Sequence, residues 1–227
     1  MKPIDPSRPP AVKSRVALRG MQMLTGLLLG ALLSAPATQA LASGTLRVAM
    51  SASDVPLPNG QTDQGAEGMR FMGYTVFEAL VAYDLSSPSK PVTLIPGLAT
   101  GWSVNAADKT RWTFNLRPGV KFHDGSPFNA QAVVWNLDKI LNQQAEQFDT
   151  RQSAQGRGRI PSVQSYKAVN DLTVEIVTKE PESLLPFQMA WIVMSSPAQW
   201  AASGKSWDTF LTKPSGTGPW KLQSYTP

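Results

Sequence analysis

The 227-residue chain is 42% hydrophobic and 16% charged, a balance that supports a buried core and excludes a wholly disordered protein. Its net charge of +5 is concentrated at the start. Without residues 1–42 there remain 16 basic and 15 acidic residues, so the charge gives no support for a nucleic-acid partner.

The first 42 residues have the pattern of a cleaved secretory signal. Lys13, Arg15 and Arg19 form a positive region, residues 23–35 an apolar run, and Ala40 and Ala42 supply small residues before a cut ahead of Ser43. The rival is an uncleaved anchor, but the apolar run is shorter than the roughly 20 residues a bilayer needs. With no cysteine in the chain, a lipid anchor at the cleavage point is closed and disulfides contribute nothing. A free periplasmic or secreted protein is the expectation.

Thr45 to Met50 alternates as a strand would, and residues 51–67 read as a loop. From Gly68 the spacing of Met69, Met72, Val76 and Leu80 predicts a helix that ends near Val81 to Asp84. Pro91 to Ile95 is followed by a turn-rich bend, Pro96 to Trp102. Arg111 to Arg117 is an alternating strand, with Trp112, Phe114 and Leu116 on one side. Pro118-Gly119 and Asp124-Gly125 are turns. Asn129 is a helix N-cap, with Phe128 and Val133 placed to staple it. Val133, Leu137, Ile140 and Leu141 form the buried stripe of that helix.

Residues 142–159 read as a mobile loop or a broken helix. Residues 162–169 and 172–178 form a hairpin with Asn170-Asp171 at its tip. Pro186 to Met194 is apolar and suits a short helix. Trp220-Lys221-Leu222 reads as the start of a strand.

None of the short motifs supports catalysis. His123 beside Asp124 resembles a triad fragment, but adjacent residues on a turn point apart and no nucleophile motif accompanies them. One histidine and no cysteine cannot build a zinc site, and no calcium loop spacing occurs. Gln155 to Arg159 (QGRGR) lacks the residues of a phosphate loop and reads as a solvated loop, in which an arginine can meet an anionic ligand. Trp112 and Trp135 read as packing residues; the role of Trp191 is left open.

Several segments together resemble the family 5 extracellular solute-binding proteins, the peptide, nickel and glutathione-type periplasmic receptors of ABC importers. They are Leu98 to Trp102, Trp112 to Arg117, Gly119 to Ala130, and Gly216 to Leu222. One departure is Ala132, where the family commonly has an acidic residue. The resemblance implies a mixed α/β (α+β) fold of the periplasmic binding protein-like class II type. It implies the first lobe with its inserted subdomain over about 68–190, hinge-lobe strands over 43–67 and 191–227, and a missing second lobe, since family members are about twice this long.

The implied function is capture of a small solute, a peptide, amino-acid derivative or metal chelate, and its delivery to an inner-membrane permease. A monomer with no cofactor, no metal and no catalytic residue is expected. Positions that contact the ligand in the family fall at Met69, Arg70, Phe148, Arg151 and Trp191. Two other classes stay open: an exported hydrolase using carboxylates such as Asp149 and Glu146, and a sensor or adhesin module outside transport.

Overall fold

The computed structural model describes residues 45–49, 57–61 and 65–225. The expected signal, most of the 51–67 loop and Met50 lie outside the described residues. Contacts divide the chain into Met1–Val48 and Ala49–Pro227. Within the first unit, Leu46 and Val48 are exposed and Thr45 to Val48 joins no ladder, so the strand expected there is not formed. Among the described residues, no helix is long and apolar enough to cross a membrane.

The larger unit is built on a four-stranded antiparallel sheet. Its strands are β3 (Ala99–Val104), β4 (Arg111–Leu116), β5 (Val163–Asn170) and β6 (Thr173–Thr178), in the order β3-β4-β6-β5. The alternation expected of β4 is observed: Trp112, Phe114 and Leu116 are buried while Asn115 is exposed. Trp112 lies opposite Ile176 and Phe114 opposite Val174, which places both pairs on the core face. The expected hairpin is β5–β6. The expected bend at Pro96 to Trp102 is instead largely strand, because a register shift at Ala99/Gly101 lets β3 pair with β4 past the glycine.

Helix α2 (Ala130–Leu141) packs across β5 and β6. Asn129 caps it as expected, its side-chain oxygen accepting from the Ala132 N–H at 3.0 Å. Val133, Leu137 and Ile140 are fully buried against the sheet. Residues 150–156 form a second helix, α3, capped by Asp149, whose carboxylate accepts from the Gln152 N–H at 2.8 Å. The broken-helix reading of this stretch is therefore the one observed.

The helix expected from Gly68 to about Val81 is corrected. A short helix α1 (Gly65–Gly68) runs into one π turn, Met69–Gly73, and stops. The Tyr74 N–H donates to Met69 O, five residues back, at 2.8 Å. Beyond it a turn at 74–76 gives way to irregular chain, and the carbonyls of this stretch are taken by three distant segments. Trp220 and Gly218 N–H donate to Thr75 and Val76 O, Met194 N–H to Glu78 O, and Leu98 and Ala99 N–H to Ala79 and Leu80 O, all at 2.9–3.0 Å. Non-local pairing overrides the helical spacing of the apolar residues. Val81–Tyr83 is strand β1, antiparallel to β2 (Leu94–Pro96).

Two turns need a positive φ and have glycine there, Gly119 at +73° and Gly125 at +90°. The second belongs to the His-Asp-Gly turn, which is structural as expected. His123 Nε2–H donates to Gly218 O at 2.7 Å, the His123 N–H to Gly216 O at 2.8 Å, and the Asp124 N–H to Ser215 Oγ at 3.1 Å. The turn thus clasps the Ser215–Gly218 segment against residues 75–76. The strand expected from Trp220 is not formed; only the backbone bonds from Gly218 and Trp220 continue the pairing, and Trp220 is exposed.

Two apolar cores result. One joins the sheet to α2 and includes Phe122 and Phe128. The other joins Met69, Met72, Val76 and Phe77 to Val193, Trp200, Trp207 and Phe210. The last three stand on the short helices α5 (Pro197–Ala202) and α6 (Trp207–Phe210), which follow α4 (Leu185–Met189).

A Cβ at Gly218 would collide with the backbone of Thr75 and Val76. Gly218→Ala is therefore expected to lower unfolding free energy by about 2 kcal/mol. Gly158→Ala, where nothing lies within 4 Å of the new atom, is expected to change it by no more than about 0.5 kcal/mol. Denaturant unfolding of the two variants checks this, and a similar midpoint for both would contradict the close approach.

Candidate functional site

One cluster of accessible aromatic and cationic side chains gathers around Trp191. The chain leaves α4 with the Trp191 N–H donating to Gln188 O at 3.1 Å, and two residues on Val193 pairs with Ala79. From the other side Gln61 holds the same backbone. Its Nε2–H donates to Trp191 O at 2.9 Å, and its Oε1 accepts from the Val193 N–H at 3.4 Å. The indole is half-buried on this fixed backbone and packs against the second core.

An aromatic shelf surrounds the indole. Tyr83, on β1, meets Trp191 edge-on, with 6.4 Å between ring centroids and 70° between planes. Phe187, on α4, is 6.4 Å from Tyr83, and the Tyr83 hydroxyl donates to Phe187 O at 2.9 Å. The Arg159 guanidinium lies over the indole face, 4.1 Å from its centroid. Burial pushes the Tyr83 hydroxyl pKa above its ordinary value, and the positive charge of Arg159 opposes the shift. Tyr83 also lines a groove of about 290 Å³ with Tyr74, Phe77, Leu85 and Pro219. A wider cleft of about 730 Å³ lies elsewhere, between α2 and β5, lined by polar groups such as Asp138, Arg157 and Lys179. No residue of the shelf lines it.

The five positions expected at the site are placed as follows. Met69 is buried in the second core, on which Trp191 packs. Arg70 is exposed and paired with Glu67, 3.1 Å from both carboxylate oxygens. Arg151 is paired with Asp208 at 2.7 Å and lies 4.0 Å from Asp149. Phe148 is half-buried in the turn before α3, its N–H donating to Ala145 O. Met69 and Trp191 are thus brought to one core, and both arginines are engaged by the protein's own carboxylates. Sequence reasoning missed Tyr83 and did not single out Arg159. The Arg-Gly-Arg run was the one available signal, and it does not say which arginine meets an aromatic ring.

Beneath the shelf is a buried polar cluster. Lys139, on α2, is fully buried, donates to Ser195 Oγ at 2.8 Å and lies 5.6 Å from the Trp207 ring centroid. Asn136 brackets the same serine, donating to Ser195 O at 2.9 Å and accepting from the Ser195 N–H at 2.8 Å. The carboxylates considered for hydrolysis have other work. Asp149 caps α3, and Glu146 accepts from Lys205 Nζ at 2.6 Å.

Comparison with known proteins gives the family and the fold. The profile described as bacterial extracellular solute-binding proteins, family 5, middle portion, matches residues 93–227. The chain belongs to that family. It is 35% identical over 151 residues to the glutathione-binding protein GsiB of Pectobacterium atrosepticum, covering 66% of this chain and 26% of that protein. It is 33% identical over 146 residues to the dipeptide-binding protein of Escherichia coli, covering 58% and 27%. Among solved structures it is similar to the ABC transporter-associated periplasmic binding protein DppA from Helicobacter pylori in complex with the peptide STSA. That match has a TM-score of 0.59 at 23% identity, covering 75% of this chain and 34% of the other. The fold is thus that of part of a periplasmic binding protein, and the chain spans about a quarter of the length of these curated family 5 relatives.

Burial pushes the Lys139 ammonium down to about 7, while the Asp149 carboxylate pulls it back up. The unfolded chain, with an ordinary lysine, then binds more protons than the folded one between that value and about 10.4, so stability rises with pH across this window. Below pH 7 the full cost of burying the charge is present. Thermal melts of the wild type and Lys139→Met from pH 6 to 10 should show the gap between them changing in the variant's disfavour as pH rises. A constant gap would show that Lys139 does not titrate in this range.

Proposed function

We propose that this chain is part of a periplasmic receptor that captures a small peptide-like solute and passes it, unchanged, to an inner-membrane ABC permease. Family membership carries this reading. The family 5 relatives named above bind glutathione or dipeptides by their names, and the accessible chemistry here suits such molecules: an aromatic shelf, a neighbouring groove and few polar groups. In this reading the protein is exported by a signal cut before Ser43, acts as a monomer and catalyses no reaction. Residues 68–190 form the inserted subdomain, flanked by hinge-lobe segments over 43–67 and 191–227.

The proposed contacts have distinct roles. Trp191 and Phe148 pack apolar parts of the solute. Arg70 and Arg151 reach it by exchanging Glu67 and Asp208 for a solute carboxylate, so each adds specificity and little net affinity. Met69 acts from below, as packing. Closure of the complete receptor on the solute excludes water and strengthens the polar contacts.

Thermal-shift and calorimetric titration of the complete gene product with dipeptides, glutathione and nickel chelates tests the reading. Peptide-type probes should stabilise it by about 2.7 kcal/mol at a concentration 100 times Kd. Response to chelates alone would reassign the solute, and no response to any of these classes would overturn the proposal. Export is tested separately: the mature protein recovered from the periplasm should begin at Ser43 by mass spectrometry, and an intact Met1 there would refute cleavage.

A further inference from the structure

We infer that Arg159, mounted on the Trp191 indole, receives a free carboxylate of the solute, which must therefore carry an acid group beside an apolar part. This rests on the solute-binding reading and makes it more specific. It assigns the charge-reading role to a residue outside the five positions carried over from the family.

Four of the arginines are already engaged by the protein. Arg70, Arg111, Arg117 and Arg151 each pair with a protein carboxylate, at 3.1, 2.7, 3.1 and 2.7 Å. A cation already paired gains little from a solute acid, since one ion pair is exchanged for another. Arg159 is exposed, and among the described residues no carboxylate lies within ion-pair distance of it and no protein acceptor takes its N–H groups. It is also the one arginine among the described residues that lies over an aromatic ring.

That mounting matters chemically. The guanidinium carbon sits 4.1 Å from the indole centroid, and this contact consumes none of the N–H donors, so the fork stays available to a ligand. The fork matches a carboxylate in bidentate geometry. Ordering a long side chain before the ligand arrives removes part of the entropy cost of binding. The mount is itself held: Gln61 bonds the Trp191 and Val193 backbone, Tyr83 braces the ring edge, and Ala79 pairs with Val193. Tyr83 and Phe187 extend an apolar surface from the same ring, where a side chain next to the acid group can rest.

The test uses the complete gene product with Gly-Phe dipeptide and its C-terminal amide, titrated calorimetrically. The acid should bind about 10- to 100-fold more tightly than the amide, as expected for a bidentate charged hydrogen bond. In Arg159→Gln this preference should vanish. Arg159→Lys should keep part of it, retaining charge without the fork. The melting temperatures of both variants should stay close to the wild type, because Arg159 is exposed and its one side-chain contact is the indole beneath it. In NMR spectra of the labelled protein, the Arg159 Nε–H and Trp191 indole N–H signals should move with the acid. Equal binding of acid and amide by the wild type, or an acid preference that survives in Arg159→Gln, would overturn the inference and leave solute binding standing. Binding of neither probe by the wild type would overturn the inference; together with no response to the wider probe set it would remove the solute-binding reading too.

Discussion

The larger unit depends on the backbone of residues 75–80. This short run offers its carbonyls to N–H groups from three places far apart in sequence: Leu98 and Ala99, Met194, and Gly218 with Trp220. Val76, Ala79 and Leu80 are buried, and an unpaired carbonyl there would be costly. Closeness is possible because two of the approaching segments carry glycine. A Cβ at Gly97 would stand 2.5 Å from Ala79 O, and one at Gly216 would strike Val76 O. The His123–Gly218 and His123–Gly216 bonds then lock the last arrival in place. The lone histidine is therefore a fastener, and that is why a residue type associated with catalysis sits here on a turn with no nucleophile.

Elements whose determinants are local were legible. The alternation of Trp112, Phe114 and Leu116 specifies β4 because each residue needs only its own face. The Asn129 cap spans three residues, and the turns at Gly119 and Gly125 announce themselves by residue type. What failed was non-local. Met69, Met72, Val76 and Leu80 have helical spacing, yet the chain leaves the helix at Gly73 because carbonyls from Thr75 onward are claimed by partners up to about 145 residues away. The register shift that makes Ala99–Val104 a strand is equally invisible, since Pro96, Gly97 and Gly101 look like turn chemistry until β4 lies beside them.

The same division explains the site. The pairing of Arg70 with Glu67 is a local i,i+3 contact, readable from spacing. The pairing of Arg151 with Asp208 joins residues 57 apart, and the seating of Arg159 on Trp191 joins the 3-10 turn of residues 157–159 to the segment after α4. Sequence alone could count arginines and aromatics. It could not say which cations were already neutralised and which remained available.

The buried polar cluster gives the shelf its stiffness. Charge and amide groups in an interior are costly unless paired, and paired ones add positional specificity more readily than stability. Here Lys139 and Asn136 on α2 hold Ser195, while Gln61 holds residues 191 and 193. The backbone from Trp191 to Ser195 is thus bonded on one side by polar side chains and on the other by Glu78 and Ala79. An apolar core could have filled the same space at lower cost, but greasy contacts tolerate sliding of the segment by fractions of an ångström. Hydrogen bonds with defined direction do not. In the proposed site the indole carries both the guanidinium and the aromatic contacts, so the exact seat of the indole matters more than the area it buries. Lys139 fixes Ser195 at the far end of this segment, and Gln61 fixes Trp191 at the near end.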